Sequence, residues 1–232
     1  MGMTDSQQKN YKGALQSMQG ALFDCDGTLL DSLGVWRGLE DVLSREAHVS
    51  MTPELRAHFV RLTVGEIASY IHEQFEYGTC AQDVQDIIDE YMLDFYRTKV
   101  TLLPGVGDFL EECARASVRM SVVSSSTPAY LQAGLSHMGI LSYFDAVVSV
   151  DDVGASKREP LVFDHARSLL GTPVEHTWGF EDSLYALETL RQAGYPTVGL
   201  FDASEGITFD QLKERATVAV HSFTELSLSA SA

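Results

Sequence analysis

Two aspartates one residue apart, Asp24 and Asp26, follow the short apolar run Ala21-Leu22-Phe23 and precede a Gly27-Thr28 turn. Side chains alternate between faces in an extended chain, so the spacing predicts that both carboxylates point one way and Cys25 the other. Carboxylates held side by side repel unless a cation or a proton satisfies them. Magnesium fits that need, because it binds through one or two carboxylates and completes its shell with phosphate oxygens. A carboxylate can also attack phosphorus, and a neighbouring one can protonate the leaving oxygen and then activate water. The chemistry expected of this pair is phosphoryl transfer. By itself the pattern also suits an ordinary Asp/Gly surface turn.

The flanking residues narrow that choice. Phe23-Asp24-Cys25-Asp26-Gly27-Thr28-Leu29-Leu30-Asp31-Ser32 closely resembles the opening motif of the haloacid dehalogenase-like superfamily. The resemblance implies Asp24 as nucleophile, Asp26 as acid and base, and Thr28 in the phosphate site. It also implies three later motifs, each after an apolar run. Ser124, after Met120-Ser121-Val122-Val123, matches the second, with the amide of Ser125 beside it to hold a phosphoryl oxygen. A plain helix cap remains open for this serine, since Thr127-Pro128 starts a helix nearby. Lys157, in Ser156-Lys157-Arg158-Glu159-Pro160, matches the third as the cation that offsets carboxylate and phosphate charge. Glu181-Asp182-Ser183 matches the fourth in the form seen in the phosphoglucomutase-like branch. There the resemblance implies a magnesium site of Asp24, the backbone carbonyl of Asp26, Asp182 and Glu181. An acidic helix N-terminus is the plainer reading of that segment. The chain departs from the family pattern at Arg158, where the first proline of K-P-x-P belongs, at Leu161 in place of an acidic residue, and at Tyr185 in place of a small one.

The elements that must position these residues are legible around them. Apolar, β-branched runs at 21–23, 118–123, 146–150, 177–180, 197–201 and 217–220 suit buried parallel strands. Helical patterns fill 107–116, 128–138, 160–170 and 183–193, with Gly139, Gly171 and Gly194 at the expected C-caps. Alternating strands and helices predict an α/β fold with a doubly wound, Rossmann-like parallel sheet. Residues 33–99 read differently. Apolar residues recur there only at helical spacing, and Thr52-Pro53-Glu54 opens one helix. This predicts an inserted all-helical cap, placed where a lid belongs. The expected division is a loose arm at 1–17, a core of 18–32 and 100–226, the cap at 33–99, and a loose tail at 227–232. Asp31 and Ser32 are the expected hinge. Trp36, Tyr70, Tyr91 and Phe95 are expected in the cap's interior. Arg56 and Arg61 are the cap arginines within reach of a substrate anion, though solvated helix-face positions suit them as well.

Composition bounds the partners. The net charge is -17, which disfavours nucleic acid and anionic membrane surfaces. Three dispersed cysteines without a CxxC, and an N-terminus without an apolar core, predict a cytoplasmic protein with neither a disulfide framework nor a zinc site. The seven histidines form no ligand pair. The combined expectation is a magnesium-dependent phosphatase of a small phosphorylated metabolite, working through an aspartyl phosphate. A phosphosugar mutase is the runner-up, but 33–99 carries six Lys/Arg against twelve Asp/Glu, a poor balance for holding a second phosphate. A dehalogenase would lack the second aspartate. A phosphonatase needs a Schiff-base lysine, for which only Lys99 is at hand. A silent binding module is disfavoured by four intact motifs. Substrate identity and oligomeric state are not legible in the sequence.

Overall fold

The computed structural model describes residues 15–59, 62–203 and 206–228. They divide into two compact units, one of the residues up to 31 with those from 101 onward and one of 32–100.

The larger unit is built on six parallel strands: β1 (Gly20–Phe23), β2 (Arg119–Ser124), β3 (Ala146–Ser149), β4 (Thr177–Glu181), β5 (Thr197–Leu200) and β6 (Val218–Val220). Their order across the sheet is β3-β2-β1-β4-β5-β6, every pairing parallel. The chain fills one side outward from β1 and then returns to fill the other. The strand order therefore reverses beside β1, and α/β sheets open a ligand crevice at such a reversal. The family-like doubly wound sheet expected from the sequence is present. The expected strand at 146–150 is one residue shorter, because Ser149 caps a short helix α7 (Val150–Val153).

The two faces of the sheet are packed differently. Phe23 and Phe180, neighbours on β1 and β4, stack with ring centroids 4.5 Å apart, and Phe109 and Phe223 close the same aromatic layer. Phe109 belongs to α5 (Val106–Arg115). The opposite face buries Leu22, Val123 and Val148 against Val162, Phe163 and Ala166 of α8 (Leu161–Leu170). Alternation along β1 thus sends Leu22 to one layer and Phe23 to the other. At Gly179 an added Cβ would lie 2.5 Å from the Leu190 side chain, so glycine on β4 lets α9 (Leu184–Gln192) pack close behind the site. α6 (Pro128–His137) and α10 (Phe209–Arg215) complete the unit.

The helical unit comprises α1 (Leu33–Glu46), α2 (Pro53–Phe59), α3 (Val64–Phe75) and α4 (Ala81–Thr98). Thr63 and Glu66 form a reciprocal capping box that starts α3. The unit's interior takes Val35, Leu39, Ile71, Val84, Ile88 and Met92. Tyr96 is fully buried, whereas Trp36, Tyr70, Tyr91 and Phe95 are half-buried. The helical repeat fell one residue further along α4 than the aromatic pattern suggested.

The ends of the chain also differ from expectation where they are described. Leu15 is buried in a short 3₁₀ turn, Leu15–Ser17, ahead of β1. Ser227 Oγ and the Leu228 amide both donate to Glu112 at 2.9 Å, so the start of the expected tail is tied down. Most of the expected arm, 1–14, and the last four residues lie outside the described residues.

Candidate active site

Asp24 is the first residue beyond β1, and its amide donates to the Phe180 carbonyl of β4 at 2.9 Å. The sheet's hydrogen bonding therefore runs on to the aspartate and fixes where its side chain starts. The chain then turns back. Gly27 takes a φ of 83°, a conformation glycine adopts at little cost, and its amide donates to the Leu30 carbonyl. That turn leaves Asp26 half-exposed and drives Cys25 into the core. Burial raises the Cys25 thiol well above its usual pKa, with the charges of Asp26 and Asp24 adding to the effect. Thr28 is completely buried, and its hydroxyl has no hydrogen-bond partner among the described residues.

The adjacent strands deliver the rest. β2 ends in Ser124, which is buried and accepts from the Ser126 amide at 3.0 Å; Ser125 is exposed. β4 ends in Glu181, with the buried Asp182 beside it. Lys157 enters from the loop between α7 and α8. It is 3 % exposed, and its Nζ donates to Asp24 Oδ1 and to Glu181 Oε1, the latter at 2.6 Å. Glu181 Oε2 accepts from the hydroxyl and the amide of Ser183, the residue that caps α9. The structure thus brings Asp24, Lys157, Glu181 and Asp182 into one buried cluster, with Asp26, Thr28 and Ser124 on the adjoining strand ends and turn.

The electrostatics of the cluster are one-sided. Burial disfavours the Lys157 charge, but the Asp24 and Glu181 carboxylates outweigh it and hold the ammonium above its usual pKa. Asp24 is pushed well above the carboxylate range, first by burial, with Lys157 opposing and Glu181 and Asp26 adding. One ammonium does not offset this much buried carboxylate. One oxygen each of Asp24, Glu181 and Asp182 lies within 4.8 Å of the others, and all three residues are buried. An all-oxygen donor set with surplus negative charge suits a hard divalent cation, and among the described residues no other His/Cys/Asp/Glu group forms such a cluster.

Two features were not singled out from the sequence. Ser126 Oγ donates to Asp26 Oδ2 at 2.5 Å, while the Ser126 carbonyl accepts from Ser149 Oγ at 2.8 Å. The run Ser124-Ser125-Ser126 contained the signal, but only the fold shows that its third member reaches Asp26. Arg158 and Tyr185, two departures from the family pattern, stack on each other with the guanidinium carbon 4.3 Å from the ring centroid. In the helical unit, Arg56 pairs with Glu40 at 2.6 Å, and Arg61 lies outside the described residues. Lys99 is exposed and bonded to Asp94 at 2.5 Å, which raises its pKa. A Schiff-base amine needs the reverse.

Comparison with known proteins bears on the family and the fold. The family model described as haloacid dehalogenase-like hydrolase matches residues 21–200. The chain is 25 % identical over 184 residues to the pyrophosphatase PpaX of Oceanobacillus iheyensis, covering 79 % of this chain and 84 % of that one. It is 28 % identical over 193 residues to a phosphoglycolate phosphatase of Photorhabdus laumondii, covering 80 % and 81 %. In fold it resembles the crystal structure of CbbY from Rhodobacter sphaeroides in complex with phosphate, with a TM-score of 0.72 at 21 % identity over 90 % of this chain and 96 % of that one. Among the described residues, no helix is long and apolar enough to cross a membrane.

Proposed function

The chain belongs to the haloacid dehalogenase-like hydrolases, and from that membership we propose that it is a magnesium-dependent phosphatase of small phosphomonoesters that works through an aspartyl phosphate. The observation that carries the reading is the buried Lys157 ammonium shared by Asp24 and Glu181 at the ends of two adjacent strands. A lysine confined among carboxylates at a crevice mouth is placed to hold transferred charge.

Asp24 attacks phosphorus, and the bond to the leaving alkoxide breaks as the acyl phosphate forms. Asp26 gives the alkoxide its proton, then takes one from the water that attacks the acyl phosphate. Inorganic phosphate leaves, and both carboxylates return to their starting state. Ser126 is a positioning residue in this scheme, because its hydroxyl donates to Asp26 Oδ2 and holds that carboxylate in place. Lys157, Ser124, Thr28 and the Ser125 amide bind the phosphoryl oxygens. Asp24, Asp182, Glu181 and the Asp26 carbonyl would hold magnesium, which when bound neutralises phosphoryl charge. Residues 32–100 take the role of lid. The two connections to them run side by side, with the Asp31 amide donating to the Thr101 carbonyl at 2.9 Å.

The test is phosphate release from an aryl phosphate, with magnesium and with a chelator. Asp24→Asn is expected to lose at least about 10³-fold in turnover while keeping its melting temperature within a few degrees. Retained turnover by that variant would overturn the nucleophile assignment. Isomerisation of glucose 1-phosphate with a bisphosphate primer, and no phosphate release, would replace the phosphatase with a mutase.

A further inference from the structure

Arg158 and Tyr185 each depart from the family pattern, and the structure shows them in contact. The pair sits at the outer end of a chain of contacts that begins at Asp24. Lys157 bonds Asp24 and Glu181, and Ser183 bonds Glu181. Tyr185 lies two residues beyond Ser183, in the first turn of α9. Arg158 directly follows Lys157 and is exposed, and Tyr185 is 39 % exposed.

The guanidinium is unusual within its unit. Among the described residues of the α/β unit, every other arginine or lysine holds a carboxylate or a hydrogen-bond acceptor. The Arg158 guanidinium holds neither and lies on a tyrosine face. In a chain with a net charge of -17, this exposed guanidinium is a cation with its charge still available to an incoming anion. Contact with the ring face consumes none of the guanidinium N–H groups. Its N–H groups hold no acceptor among the described residues, and a guanidinium can grip a carboxylate or phosphate through two parallel bonds. Arg158 follows Lys157 in the same turn, so both side chains start from one short stretch of backbone beside the strand ends.

We propose that Arg158, oriented by Tyr185, binds a second anionic group on the substrate, a carboxylate or a second phosphate, while Lys157 serves the transferred phosphoryl. The α/β unit then contributes to specificity by itself, selecting short phosphomonoesters that carry another negative group. The inference rests on the phosphatase reading.

The experiment compares phosphate release from ethyl phosphate, 2-phosphoglycolate and ethylene glycol bisphosphate, for the full chain and for Arg158→Ala, Arg158→Lys, Tyr185→Phe and Tyr185→Ala. Arg158→Ala is expected to lower the kcat/KM ratio of an acidic-tail substrate to ethyl phosphate about tenfold or more, mostly through KM, as for a lost charge-assisted hydrogen bond. Arg158→Lys and Tyr185→Phe are expected to keep most of that ratio, and Tyr185→Ala to lose part of it. Whichever tail shows the larger loss identifies the anion. A ratio unchanged within about twofold in Arg158→Ala for both acidic tails would overturn the inference and leave the phosphatase standing. So would a wild type that turns over ethyl phosphate with no preference for an acidic tail. No release from any of the three, nor from an aryl phosphate, would sink both readings together.

Discussion

The strand-end cluster and the helical unit handle charge in opposite ways. At the strand ends, ionised groups are buried and joined over long stretches of chain: Lys157 reaches Asp24 across 133 positions and Glu181 across 24. In the helical unit the links that stand out are exposed and local. Thr63 bonds Glu66, Thr79 bonds Asp83, Gln82 bonds Asp86 and Lys99 bonds Asp94. Arg56 to Glu40 is a longer link, and it too lies at the surface. Local surface links contribute tenths of a kilocalorie each and are screened by water. A buried, shared ammonium is a different object, because removing it leaves buried carboxylates without their counter-charge. The contrast separates the part of the molecule built to hold charge under tension from the part built only to stay folded.

The sharpest way to break that contrast is Lys157→Met. It leaves Asp24 and Glu181 buried without their ammonium, so the chain is expected to lose about 3–5 kcal/mol in chelator, read by denaturant unfolding. Added magnesium should recover part of the loss if the carboxylate cluster holds the ion. A loss under about 1 kcal/mol would mean that the cluster is no more demanding than a surface pair. Next in size is Ser126→Ala, which removes the 2.5 Å bond to Asp26. Stability should fall by about 1 kcal/mol, the worth of one hydrogen bond, and turnover should fall further than that change explains. Its pH profile for kcat should shift as well, a response that a merely structural serine would not produce.

The helical side is sharpened by Thr63→Ala, which dismantles the capping box at the start of α3. About 1 kcal/mol is expected, with kcat on an aryl phosphate unaltered. The smallest effect is chemical. Of the three cysteines only Cys80, in the helical unit, is exposed. Burial raises the Cys113 thiol to about 12 and pushes Cys25 well above its usual value, so both are thiol rather than reactive thiolate at pH 8. A maleimide should add one label to the native chain and three after unfolding. Rapid labelling of Cys25 in the native state would show that the strand end opens far more readily than its burial implies.

Much of this was written in local pattern. The alternation along the first strand, the glycines that end α6, α8 and α9, and the capping signal at Thr52 depend on neighbours within a few residues. Periodicity and turn chemistry therefore reveal them. The four motifs, Asp24-Asp26, Ser124, Lys157 and Glu181-Asp182, were legible because each ends an apolar run or follows a turn. The sequence alone thus determined which elements form and which residues lie at their ends.

Their meeting was decided in three dimensions. Strand order places the ends of β1 and β4 side by side, and that adjacency sets Asp24 beside Glu181. The same packing aimed Ser126 at Asp26, paired Arg56 with Glu40 and laid Arg158 on Tyr185. None of these contacts has a spacing to read. They join residues far apart in the chain, and their partners are chosen by sheet order and side-chain direction, which only the folded chain possesses.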